Sequence, residues 1–218
     1  MFEASDILIL GDSYCARRNT ETTWPRNLVL RLTGTHDFPR GQGYGGASWW
    51  STKKRLMKEL SICKPKVLIL CHTEPNRIPS DENLPLNAGS LLRPNYRDWY
   101  SDEIRDAGQK YYRYLYSPEF HFWSQYNWFL DLDETLKNWH IPIVIHLHCF
   151  ENDYVFNYGT TSKEYLSYFS PKDENGDLFW DDDNHLTKEQ NLQLAASLHR
   201  AIKEYNPNDR LKDLRLFA

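Results

Sequence analysis

Three short, uninterrupted apolar runs constrain the fold of this chain more than any other feature of its sequence. They cover residues 6–10 (DILIL), 66–71 (KVLILC) and 141–148 (IPIVIHLH). Runs of this length are too short for buried helices and are typical of strands covered on both faces. Segments with helical spacing lie between and after them. This order predicts βαβ units around a parallel sheet, and therefore an α/β fold.

Helix start signals divide the rest of the chain. Trp24-Pro25 opens one predicted helix, and Ser117-Pro118 opens another. Thr187 with Gln190 forms a capping-box pattern at the start of the last. Further helices are predicted over residues 51–63 and roughly 99–116, whereas residues 73–97 read as a long loop. The helix after Ser117 is expected to bury one stripe: Phe122, Tyr126, Phe129, Leu132 and Leu136. No repeat or linker is visible, so residues 1–218 are predicted to form a single domain.

Composition narrows the class of protein. The 218 residues carry 30 acidic and 26 basic side chains, a net charge of -4, which argues against a nucleic-acid partner. No apolar run approaches the ~18 residues of a membrane span, so no membrane association is expected. No leader peptide is seen, which favours the cytoplasm; a virion or exported location stays open. The four cysteines lack metal-binding spacing and are interpreted as buried thiols.

The first segment with potential chemistry is Gly11-Asp12-Ser13-Tyr14, whose glycine is predicted to end the strand of the first apolar run. Sites in open α/β sheets lie beyond the carboxyl ends of the strands, so Ser13 is placed where a nucleophile is expected. The same residues also make good turns. Taken alone, the motif therefore supports either reading.

The second segment is Asp182-Asp183-Asn184-His185, directly before the last helix. A serine nucleophile needs a base to accept its proton and a carboxylate to orient that base. His185 suits the first role and Asp182 the second. An acidic segment before a helix is also favoured by the helix dipole, but the dipole gives no reason for the histidine.

The third segment covers residues 41–48 and is rich in glycine. Glycine lets the backbone approach a ligand closely, so the Gly46 N–H is a candidate donor to an oxyanion. A flexible turn is the simpler interpretation of this segment in isolation.

Together these segments resemble the SGNH (GDSL-type) serine hydrolase family. GDSY matches its first block with Ser13 as nucleophile, GGAS its second block with Gly46 as oxyanion glycine, and DDNHLT its last block with Asp182 and His185. The resemblance implies a flavodoxin-like three-layer α/β/α sandwich with a central parallel sheet, and hydrolysis of carboxylic esters without metal or cofactor. O-acetyl groups on carbohydrate are the substrate class that it suggests.

The third block of that family is different here. The family has an asparagine after the central strand that completes the oxyanion hole, whereas this chain continues as Cys71-His72-Thr73-Glu74-Pro75-Asn76-Arg77. Ungapped counting puts Glu74 at the asparagine position, where a carboxylate would repel an oxyanion. Asn76 supplies the amide if the loop bulges, and Glu74 and Arg77 are then expected to line the cleft.

Three alternatives accompany the esterase prediction. A protein with this fold but a silent site would bind a glycan or an acylated ligand without turnover. A phosphate- or nucleotide-binding module would use the 41–46 segment, although that segment lacks a P-loop pattern. A metal site formed by His146, His148, Asp181 and His185 is less expected than histidines with structural roles. The aromatic-rich middle of the chain is expected mostly to pack on the sheet.

Overall fold

Four parallel strands form the sheet in the computed structural model, which describes residues 2–16, 21–78, 86–92, 100–172, 183–206 and 214–217. The strands lie in chain order: β1 (Ile7–Ala16), β2 (Val67–His72), β3 (Ile143–His148) and β4 (Thr160–Thr161). Ile7 pairs with Val67, which pairs in turn with Ile143. The prediction of an α/β fold around a parallel sheet is confirmed.

Helices connect and follow the strands. They are α1 (Trp24–Thr33), α2 (Trp49–Ile62), α3 (Ala88–Leu92), α4 (Asp102–Tyr114), α5 (Pro118–Trp139), α6 (Leu166–Phe169) and α7 (Lys188–Lys203). The Ser117 hydroxyl caps α5, and Thr187 and Gln190 form the predicted capping box on α7. Part of the predicted 73–97 loop is α3, and α4 is three residues shorter than expected at its described start.

The two faces of the sheet are covered by different helices, because side chains alternate along each strand. One face packs against α1 and α7. The other packs against α2 and α5. The described residues therefore form three layers, helices on sheet on helices. Their buried strand residues are as expected: Ile7, Ile9, Val67, Ile69 and Ile145 on the first face, and Leu8, Leu10, Leu68, Leu70 and Val144 on the second.

The first strand does not end at Gly11, as its sequence suggests, but continues to Ala16. Gly11 has φ +148°, and a Cβ there would overlap the main-chain oxygen of Cys71 on the neighbouring strand. Only glycine therefore lets β1 pass so close to β2 and continue. Ser13 consequently lies on the strand extension and not in a turn.

A second extended segment, residues 40–43, lies along the free edge of β1. The Ile9 N–H donates to Arg40 O at 3.0 Å, and the Arg40 N–H donates to Ile7 O at 2.8 Å. Gly43 bridges both Gly11 and Ala16, and a Cβ on it would overlap the carbonyl of Asp12. Close approach to β1 thus explains this glycine, which removes the argument that it serves a phosphate.

The α5 helix is longer than the sheet beneath it. Its 22 residues span about 33 Å, whereas the 6 residues of β3 span about 20 Å. Since α5 runs antiparallel to the β3 strand that follows it, its first turns project beyond the carboxyl edge of the sheet. Phe122 and Tyr126 of the predicted buried stripe are therefore exposed, and that part of the prediction is wrong; Phe129, Leu132 and Leu136 are buried.

The expectation of buried thiols is confirmed in part. Cys15, Cys71 and Cys149 are buried free thiols, but Cys63, the residue directly after α2, is exposed. None of the helices in the described ranges has the length and apolar character needed to cross a bilayer.

Candidate functional site

The structure brings Ser13 and His185 into direct contact, although 172 residues separate them along the chain. Ser13 Oγ lies 2.7 Å from His185 Nε2, and the two residues are 7% and 3% exposed. Ser13 is held by the extension of β1, and His185 by a short turn, Asp183–His185, that leads into α7. A buried serine–imidazole contact of this length is the geometry of an activated hydroxyl nucleophile.

Asn184 attaches the histidine segment to β1. Asn184 and His185 both adopt left-handed backbone conformations, with φ of 58° and 59°. With its amide nitrogen facing β1, Asn184 donates to Ser13 O at 3.2 Å and to Ala16 O at 3.0 Å. Asparagine tolerates this backbone region well and adds the two hydrogen bonds. It therefore fixes the separation of Ser13 and His185, a role that the sequence analysis missed.

Asn191 supports the site from the first turn of α7. Its Oδ1 accepts from the Trp24 N–H at 2.9 Å, and Trp24 Nε1 donates to Tyr14 O at 2.6 Å. The Tyr14 ring packs edge-on against the His185 ring at 5.0 Å between centroids. Asn191 thus provides a direct contact between α7 and α1.

The carboxylate predicted to orient His185 is that of Asp182. Asp181 and Asp182 lie outside the described residues. The assignment of Asp182 as the third catalytic residue therefore stays a prediction from the sequence.

Arg77 joins the three segments around Ser13 that were predicted to form the oxyanion hole. Its guanidinium pairs with Asp12 Oδ2 at 3.4 Å and with Glu74 Oε1 at 3.2 Å. It also donates to Ala47 O at 3.4 Å. Arg77 is 5% exposed and Asp12 is fully buried. One cation thus links the β1 extension, the turn containing Gly46 and the loop after β2.

Asp12 is an unusual buried acid beside a candidate nucleophile. Burial raises the pKa of its carboxyl group, and the Arg77 charge and the Tyr14 N–H oppose this rise. The Tyr14 N–H donates to Asp12 Oδ1 at 3.0 Å. Charged Asp12 therefore depends on Arg77.

The third-block residues form their own cluster. Glu74 accepts from the Asn76 amide at 2.9 Å as well as from Arg77, so its carboxylate is engaged on both oxygens. Gly46 lies in a turn with φ +72°, closed by a 3.0 Å bond from the Ala47 N–H to Tyr44 O. Both oxygens of Glu74 thus accept hydrogen bonds from neighbouring side chains, while the oxyanion roles of Gly46 and Asn76 stay predictions.

His146 and His148 share a face of β3, as predicted, but their rings have structural partners. His146 Nε2 lies 3.0 Å from Tyr158 O, and His148 Nε2 lies 3.0 Å from Tyr154 O. Because a carbonyl only accepts, each Nε2 carries a proton. His72 Nε2 then donates to His146 Nδ1 at 2.9 Å. No group that could hold a metal occurs among the residues the structure describes.

These three histidines are kept neutral by their surroundings. Burial lowers the pKa of His146 to about 3 and that of His148 to about 4. The pKa of His72 is lowered well below its ordinary value, first by burial and then by its two histidine neighbours. The cluster stacks on Phe156, whose ring lies 3.6 Å from that of His146. It is part of the core between the sheet and α5.

Acid should therefore destabilise the fold. Below the ordinary histidine pKa of 6.5, the unfolded chain binds protons that the folded chain excludes. The contribution of these histidines to the free energy of unfolding is therefore fully present above pH 6.5 and is lost as the pH falls toward 4. Each histidine contributes a slope of up to about 1.4 kcal/mol per pH unit. We expect His148→Gln to reduce the slope of the unfolding free energy against pH between 5 and 6.5 by roughly that amount, measured by urea denaturation.

The exposed His36 provides the control. His36→Gln should leave the slope as it is in the wild type. Equal slopes in all three proteins would contradict the assignment of the acid sensitivity to the buried cluster.

No family model, curated protein or solved structure matches this chain. The assignment of a function therefore depends on the chemistry of the site itself.

Proposed function

We propose that this protein is a serine esterase of the SGNH type, acting on carboxylic esters. The observation that carries the proposal is the 2.7 Å contact between Ser13 Oγ and His185 Nε2 at the carboxyl edge of a parallel sheet. The order of extended segments supports the family assignment. Numbered along the chain, the extended segments are β1, residues 40–43, β2, β3 and β4. Because residues 40–43 lie on the outer side of β1, the spatial order is 2-1-3-4-5, which is the order of flavodoxin-like folds.

The proposed reaction has two steps. Ser13 Oγ attacks the ester carbonyl as its proton passes to His185 Nε2, which then protonates the departing alkoxide. Water next attacks the acyl-serine as its proton passes to His185 Nε2. His185 then returns that proton to Ser13 Oγ as the acyl–oxygen bond breaks and the acid is released. Asp182 is proposed to orient His185 and to stabilise its charged form. The N–H groups of Ser13 and Gly46, with Asn76, are proposed to bind the oxyanion.

The substrate class follows the resemblance to the family. We propose O-acetyl groups on carbohydrate as substrates, with no metal or organic cofactor.

A covalent probe tests the nucleophile directly. We expect an excess of a fluorophosphonate to add one equivalent per chain, on the peptide containing Ser13, and to abolish release of acetate from p-nitrophenyl acetate and acetylated xylan. Ser61→Ala removes an exposed hydroxyl on α2 and should leave labelling and hydrolysis unchanged. Labelling of another serine would contradict the assignment. An untreated protein that releases no acetate would favour a silent, ligand-binding site.

A further inference from the structure

A groove of about 700 Å³ lies beside the overhanging first turns of α5. Its other wall is the loop 151–154, which follows β3 at the carboxyl edge of the sheet. Gln125 of α5 donates to Thr73 O at 2.7 Å, and Asn152 donates to Gln125 Oε1 at 3.0 Å. The groove therefore opens at the same edge of the sheet as Ser13 and His185.

Aromatic rings form much of the groove and face solvent. Phe122, Trp123 and Tyr126 are 55%, 61% and 53% exposed. Helical positions so rich in exposed rings are unfavourable without a ligand or partner to cover them. The flat faces of tryptophan and tyrosine are the surfaces that bind organic cations best.

The charges of the groove have one sign. Glu119, Glu151 and Asp153 line it, and no lysine, arginine or histidine does so among the described residues. The amides of Gln125 and Asn152 are used within the protein, since Asn152 Oδ1 also accepts from the Tyr154 N–H at 2.9 Å. The helix dipole explains Glu119, which lies in the first turn of α5, but not the two acids of the facing loop.

We infer that this groove binds an organic ammonium group, such as the quaternary ammonium of choline, between its aromatic rings and carboxylates. A cation matches both the ring faces and the negative rim, whereas a neutral ligand uses only the rings. Binding of the ammonium group depends only on the residues of the groove. Its link to catalysis, a preference for esters of cationic alcohols, rests on the proposed esterase function.

Titration calorimetry of the Ser13→Ala protein with choline separates binding from hydrolysis. We expect choline to bind at least tenfold more tightly than its uncharged isostere 3,3-dimethyl-1-butanol, and its affinity to fall as salt is added. Trp123→Leu and the Glu151→Gln/Asp153→Asn double variant should each weaken choline binding severalfold. Trp50→Leu and Glu134→Gln are controls, because they remove an exposed ring and an exposed acid outside the groove.

The outcomes distinguish the groove from the esterase. Equal affinity for choline and its isostere, or binding of xylo-oligosaccharides alone, would overturn the ammonium proposal even if the wild type hydrolyses esters. Choline binding that Trp123→Leu weakens, in a protein that hydrolyses no ester, would support the groove and contradict the esterase. If both hold, the wild type should favour acetylcholine over 3,3-dimethylbutyl acetate, and Trp123→Leu should remove that preference.

Discussion

Ser13→Ala is expected to lower kcat/KM for p-nitrophenyl acetate by about 10⁴-fold or more, because it removes the atom that is proposed to form the acyl intermediate. The fold should be retained, because the substitution removes only one hydroxyl from a small side chain that is 7% exposed and leaves no large cavity. The measurement is steady-state hydrolysis, with circular dichroism to verify folding.

His185→Asn should cause a loss of similar size. Asparagine tolerates the left-handed backbone that His185 adopts, with φ 59°, so the variant removes the base while preserving the loop. Because Ser13 and His185 are proposed to act as a unit, the double variant should be no slower than either single one. Losses that multiply in the double variant would contradict the direct proton transfer that the 2.7 Å contact implies.

Arg77→Met should destabilise the protein by about 3–5 kcal/mol, because it leaves the fully buried Asp12 without its cation. The decrease in the free energy of unfolding should be smaller at acid pH. Arg77 opposes the rise that burial causes in the pKa of Asp12, so without it Asp12 takes up a proton at a higher pH and the buried charge disappears. Urea denaturation at pH 5.5 and pH 8 measures both effects.

Two further variants test the cause of that destabilisation. Asp12→Asn combined with Arg77→Met should be more stable than Arg77→Met alone, since the uncompensated charge is removed. Lys110→Met breaks an exposed pair with Asp106 and should cost no more than about 1 kcal/mol. A loss as small for Arg77→Met as for Lys110→Met would show that the buried ion pair does not hold the site together.

Much of the fold could be predicted from local patterns. The runs at residues 66–71 and 141–148 lie on β2 and β3, because only strands buried on both faces tolerate uninterrupted apolar sequence. Capping residues marked the starts of α5 and α7 for an equally local reason. Gly11 misled the prediction of β1, since the sequence does not distinguish a glycine that ends a strand from one that lets two strands approach.

The candidate site was predictable only in part. Ser13 and His185 have recognisable local surroundings, and the sheet brings their segments to one edge. Arg77 was placed in the cleft without a role, because its contacts with Asp12, Ala47 and Glu74 join segments whose proximity depends on the whole fold. The overhang of α5 has a similar origin, since it depends on the length of the sheet and not on the helical pattern.

The continuation of β1 beyond Gly11 has a consequence for how the site can move. β2 pairs with Ile7–Gly11 of β1, and Gly43 bridges Gly11 and Ala16 on either side of Ser13, whose carbonyl accepts from Asn184. The amide protons of the paired residues should exchange only when the sheet itself opens. Ser13 lies just beyond this slowly exchanging part of the sheet, so we expect adjustment to a ligand to come mainly from the segments that carry His185, Gly46 and Glu74.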